Sequence, residues 1–178
     1  MRYKDLLDIV RELNPYHVVE IGTWNGKRAA EFMAVSNCEY TGFDLFEDAT
    51  KETDKHEYNV KPHNNIIDVA SRLEGLGFHN FTLVKGNTND TLREWPKSNF
   101  DFAYIDGGHS IETIKNDFDF IYENIDEGGT IVLDDYYFPE IEGMGCNFLE
   151  DMGEVIKSTD KTDQGFVYLL KVIKNGSG

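Results

Sequence analysis

The sequence predicts an α/β fold: an open, mainly parallel seven-stranded sheet with helices on both faces and a C-terminal antiparallel hairpin. Three observations predict it. Short apolar runs alternate with helical-period segments from residue 16 to residue 133, as a chain of β-α units requires. A polar or glycine mark closes each run: Glu20-Ile21-Gly22, Asp44, Gly86-Asn87, Asp106 and Asp134-Asp135. Two final β-rich runs, 154–158 and 166–173, are joined by a link too short for a helical crossover, so they should pair antiparallel. In an open α/β sheet the ligand crevice lies outside the carboxyl ends of the strands, which places all these marks on one rim.

Each element has its own signal. Leu6, Leu7, Val10 and Leu13 share a helical face over 5–13, and Asn14-Pro15 stops that helix. Residues 16–21 form a short buried strand, 26–35 a helix with Ala29, Phe32 and Met33 inward, and 39–45 a second strand. The polar stretch 51–63 is expected to be a long loop. Helical spacing returns over 65–76 through Ile66, Val69, Leu73 and Leu76, with Gly77 as its C-cap. Strands follow at 81–84 and 100–105. Ser110 caps the most regular helix, whose apolar set is Ile111, Ile114, Phe118, Ile121, Tyr122 and Ile125; Asp117, Asp119 and Glu123 are left for the wet face. Gly128-Gly129 ends it ahead of a fifth strand, 130–133, and the polar tail 174–178 is expected to fray.

A chain of 178 residues is expected to be one domain, 1–178, burying about 70% of its unfolded surface. No run approaches the ~18 apolar residues of a membrane span, and the charged N-terminus lacks a signal-peptide core, so a cytoplasmic protein is expected. Cys38 and Cys146 have no metal-ligand spacing and are expected to be reduced thiols. The net charge of −16, from 33 acidic and 17 basic side chains, repels a polyanion, and no cluster of Lys or Arg offsets it. Nucleic acid is therefore not an expected partner. The acidity suits a divalent cation or a neutral or cationic small molecule, and equally a plain solvated surface.

Chemistry concentrates at the strand ends. The turn Gly22-Thr23-Trp24-Asn25-Gly26 follows the first strand, where glycines let backbone approach a ligand closely. It is not the dinucleotide fingerprint, because Trp24 stands where the second glycine should be. Asp44 lies about 20 residues further on, at the end of the second strand, where a carboxylate can accept both hydroxyls of a ribose. At the other end of the rim Asp106, Asp134 and Asp135 should converge, and three carboxylates repel unless a cation sits among them. Mg²⁺ takes oxygen ligands of this kind and lowers the pKa of a bound hydroxyl. His109 can accept a proton near neutral pH; it is a candidate general base, a metal or substrate contact, or a structural residue before the Ser110 cap. His17, His56, His63 and His79 have no comparable setting and are expected to be structural or on the surface.

On Glu20-x-Gly22-x-x-x-Gly26, Asp44 and the hairpin-tailed β/α order, the chain resembles the Rossmann-like S-adenosylmethionine-dependent methyltransferases from Tyr16 to Ile173. The resemblance implies that Glu20, Gly22, Thr23 and Gly26 hold the methionine and sugar portion, that Asp44 binds the ribose, and that Asn87 contacts the adenine or its ribose. Asp106 with Asp134-Asp135 extends it to the metal-dependent O-methyltransferases of catechols and antibiotic sugars, in which such carboxylates bind Mg²⁺. Asp106-Gly-Gly-His-Ser looks like the Asp-Gly-Asp-His-Ser of a broad branch of that group, with Gly108 where the second acid often stands. Catechol methyltransferases carry a lysine base three residues after their strand-four acid, the offset of His109 from Asp106. The implied activity is Mg²⁺-assisted O-methylation of a small hydroxylated acceptor. Its pocket would be walled by residues 46–64, Trp24 and Tyr136-Tyr-Phe-Pro139, with a partner subunit of a homo-oligomer as a further contributor. The rivals are a metal-independent methyltransferase using His109, an enzyme that consumes S-adenosylmethionine without methylating, and a non-catalytic module that binds it.

Overall fold

The computed structural model describes residues 1–96 and 98–176. Lys97 lies outside the described residues, as do Ser177 and Gly178 at the end of the tail expected to fray. Helix α1 (Arg2–Leu13) leads into β1 (His17–Ile21), α2 (Lys27–Ser36) and β2 (Glu39–Asp44). Then come α3 (Lys51–His56), α4 (Ile66–Gly75), β3 (Phe81–Lys85), α5 (Thr88–Glu94), β4 (Phe102–Ile105), α6 (Ile111–Asn124) and β5 (Thr130–Phe138). The tail forms β6 (Glu154–Ile156), β7 (Lys161–Thr162) and β8 (Gly165–Ile173).

The sheet runs β3-β2-β1-β4-β5-β8-β6, with the two-residue β7 paired to β8. The first five strands are parallel and β8 is antiparallel to β5, β6 and β7. The strand order reverses between β1 and β4, the switch point where open sheets bind ligands. β1 and β4 are buried along their whole length, because helices cover both faces of a parallel sheet. On one face α1, α2 and α4 pack Leu6, Val10, Phe32, Val69 and Leu73 against Val18, Phe102 and Tyr104. On the other, α5 and α6 bring Leu92, Ile114, Phe118 and Ile121 against Val19, Ile21, Ala103 and Ile105. No helix of the described residues is long and apolar enough to cross a membrane. Both cysteines are free and buried.

Four details differ from expectation. Residues 51–56 are helical rather than loop: α3 buries no side chain, so it has no periodicity to detect, and it starts from a Thr50–Thr53 capping box. Helix α5 went unlocated because its single buried residue, Leu92, gives no repeat. Asp117 is not on a wet face. It is 1% exposed, because α5 packs against that side of α6. Finally, β5 does not end at Leu133. It continues to Phe138 through a bulge at Asp134-Asp135, where Asp135 takes φ 62°.

Candidate active site

At the carboxyl ends of β1, β2, β3 and β4 lies a cavity of about 440 Å³, within the range of small-molecule sites. Gly22, Asp44, Asn87, Asp106 and His109 all line it, so residues predicted for both halves of the rim meet in one space. Asp44 organises the first half. Its carboxylate accepts the backbone N–H of Trp24 (2.8 Å) and of Phe46 (2.7 Å), tying the β1 and β2 turns together. Asn87 caps α5 by accepting the N–H of Asn89 (2.9 Å).

The glycines of the β1 turn are held mainly by packing. A Cβ on Gly22 (φ 96°) would lie 2.0 Å from the Asp106 carbonyl oxygen, so only glycine lets the β1 turn meet the end of β4. Gly26 meets Val69 of α4 instead of the cavity. Glu20 and Thr23 do not line the cavity either. Glu20 shares its face of β1 with Val18, accepts the Tyr40 hydroxyl, and is pushed up to about 8 by burial. Thr23 is buried against the same tyrosine, 3.2 Å from its hydroxyl.

Of the expected wall 46–64, residues 52–64 line the cavity and bring His56 and His63 with them, whereas Phe46 is buried in the core. Two latches hold this wall. Trp24 Nε1 donates to the Pro62 carbonyl (2.9 Å). Glu57 accepts the Ser110 N–H (3.1 Å) and the Thr113 hydroxyl (2.5 Å), and its carbonyl meets His109 Nδ1 at 2.9 Å. A Cβ on Gly108 would lie 2.3 Å from Glu57 Oε2, so a side chain at position 108 would require the Glu57 carboxylate, just past α3, to swing out of the space it now holds. Because a carbonyl only accepts, His109 carries a proton on Nδ1, and its Nε2 faces Asp135 Oδ2 at 3.5 Å. The Tyr136-Tyr-Phe-Pro139 segment is absent from the lining: Tyr136 and Tyr137 are buried and Phe138 faces solvent.

The reacting half is filled by its own partners. The Tyr104 hydroxyl lies 3.2 Å from Asp106 Oδ2 and 3.0 Å from Asp134 Oδ2. Asp134 Oδ1 accepts the Asp135 N–H (2.9 Å) and lies 3.2 Å from Arg2 Nε. Tyr137 donates to Asp135 Oδ1 (3.0 Å), and Asp135 Oδ2 is 3.5 Å from His109 Nε2. Burial, then the charges of Asp134 and Asp135, hold the Asp106 carboxyl well above the usual carboxylate range. These groups do not fit the expected Mg²⁺. Tyrosine hydroxyls, a backbone N–H and a guanidinium already engage the oxygens a hard cation would need. No three His, Cys, Asp or Glu among the described residues could hold a metal ion.

Reading the sequence missed Arg2, Tyr104, Glu57 and Asp117. Tyr104 had a signal, since it lies two residues before Asp106 on a strand and so shares its face. Asp117 lines the cavity floor beside Thr88, with burial pushing it up to about 7. Arg2 and Glu57 come from distant segments and had no local signal.

Fold and cavity together are those of a Rossmann-like α/β protein with a site at its switch point. A family model for the methyltransferase domain matches residues 19–136, and the chain belongs to that family. Its fold is similar to that of the O-methyltransferase TomG from Streptomyces achromogenes, involved in tomaymycin synthesis and solved with SAM. The TM-score is 0.72 at 17% identity, over 97% of this chain and 79% of that one. The O-methyltransferase NovP gives 0.69 at 17%, over 96% and 80%. An rRNA methylase from Streptococcus thermophilus gives 0.67 at 15%, over 99% and 98%. At these identities the likeness concerns the fold alone. No curated protein matches the sequence.

Proposed function

We propose that this methyltransferase transfers the methyl of S-adenosylmethionine to a hydroxyl oxygen of a small molecule, with His109 accepting the hydroxyl proton. The observation that carries this reading is the single cavity that reaches from Asp44 and Asn87 to His109. In it the nucleoside lies toward Asp44, which retains lone pairs for the ribose hydroxyls, and the sulfonium methyl points toward His109. Transfer is an in-line displacement: the oxygen–methyl bond forms as the sulfur–methyl bond breaks, and S-adenosylhomocysteine leaves. The protein's share is alignment and removal of the proton. The Glu57 carbonyl holds His109 in the tautomer whose Nε2 can take that proton. Residues 52–64 wall one side of the cavity. A net charge of −16 disfavours a polyanionic acceptor and supports a small neutral or cationic one. No step is routed through Mg²⁺, because the carboxylates are engaged as described above.

Calorimetry with S-adenosylhomocysteine tests the donor, and its release from S-adenosylmethionine in the presence of catechol and hexose acceptors tests the transfer. The protein should bind S-adenosylhomocysteine. His109→Gln should keep that affinity while losing about 10²–10⁴-fold in turnover. Absence of binding overturns the reading, and undiminished turnover in His109→Gln removes the histidine from it.

A further inference from the structure

Resting on that reading, the geometry points to a cation substitution within the chain: the Arg2 guanidinium of α1 takes the place of a divalent ion at the three-carboxylate end of the site. The Asp134 side chain is fully enclosed (0% exposed). A buried carboxylate either takes a proton or stays charged beside a cation, and Asp134 has a cation at hand. Arg2 Nε lies 3.2 Å from Asp134 Oδ1, and the Arg2 side chain is itself only 17% exposed. This Nε has no aligned hydrogen bond, so its contribution at this spot is charge.

The seat of the arginine is built from three directions. Its backbone N–H donates to Asp160 Oδ2 (3.0 Å), anchoring the start of α1 beside the β6–β8 tail. Its Nη2 donates to the Tyr3 hydroxyl (2.8 Å), and its guanidinium carbon lies 4.8 Å from the Tyr3 ring centre. Arg28 of α2 covers the same ring at 3.9 Å. Meanwhile the Tyr104 hydroxyl spans Asp106 and Asp134, so a metal bridging those two would have to displace it. A guanidinium is charged at every working pH and cannot be removed by a chelator. Arg2 reaches the site through Asp134, so it is a positioning residue rather than a catalytic one.

Manganese serves as the probe, its free-ion paramagnetic resonance signal being titrated with the full chain at neutral pH. The wild-type protein should leave millimolar Mn²⁺ free. Arg2→Met should bind it at least tenfold more tightly, Asp134→Asn in that background should abolish the gain, and Arg2→Lys should behave as wild type. The inference is overturned if wild type sequesters Mn²⁺ and Asp134→Asn releases it. It is equally overturned if Arg2→Met, folded by circular dichroism, binds no better than wild type. Should Arg2→Met not fold, the wild-type and Asp134→Asn titrations decide alone. S-adenosylhomocysteine calorimetry on the same samples separates the two ideas: its failure sinks the methyltransferase reading, whatever manganese does.

Discussion

The two ends of the rim contain similar residues and have been put to different uses. Around Asp44 and Asn87 the polar groups border an open cavity, held by backbone N–H groups yet retaining lone pairs. Around Asp134 and Asp135 the carboxylates face each other, two tyrosines and an arginine, and neither aspartate lines the cavity. A carboxylate at a strand end is thus no measure of a ligand. What separates the two ends is access: both oxygens of Asp44 accept a backbone N–H yet border the cavity, whereas Asp134 and Asp135 are enclosed by their partners.

Gly22→Ala should have the largest effect, because a Cβ 2.0 Å from a backbone oxygen cannot be relieved by a side-chain rotation. We expect a loss above about 4 kcal/mol in urea unfolding, and an unchanged midpoint would show that the β1–β4 junction is soft. Next, Asp44→Ala should weaken S-adenosylhomocysteine by about 10–100-fold, since charge-assisted hydrogen bonds are worth about 1.5–3 kcal/mol each. Asp134→Asn should destabilise the fold yet leave the affinity of the folded protein within a few-fold. Equal losses of affinity in both variants would erase the contrast between the two ends.

The effect spread most thinly over conditions concerns Asp117, whose folded value is raised from 3.8 to about 7. Below pH 3.8 both folded and unfolded forms carry the proton. Between that pH and about 7 only the folded form holds it, so stability falls as pH rises, and above 7 the full penalty remains. Asp117→Asn should flatten that decline by up to about 1.4 kcal/mol per pH unit. Glu20, raised to about 8, should keep a residual slope. Denaturant midpoints measured from pH 4 to 8 check this, and an identical slope in the variant would place Asp117 in contact with water.

The β/α alternation, the antiparallel tail and the strand-end residues Gly22, Asp44, Asn87, Asp106 and His109 that line the cavity were legible because buried strands and periodic helices write themselves locally. Where the sequence misled, an unseen neighbour was the cause. Asp117 reads as a wet-face residue until α5, too short to show a period, is laid against it. Asp134-Asp135 reads as a strand end, since a bulge leaves no composition mark and β8 pairs past it to Phe138. The latch at Glu57 and the cation at Arg2 join residues far apart in sequence, Glu57 to Ser110 and Arg2 to Asp134, and only the fold brings such pairs together.

The close approach at Gly22 has a consequence for how such chains are recognised. Its glycine answers to the junction of two strands, so selection for folding alone would preserve it. A descendant that had lost every contact with a nucleoside would still display the Gly22 of the β1 turn. That glycine marks the ancestry of a chain, whereas a carboxylate that borders an open cavity, as Asp44 does, marks room for a ligand.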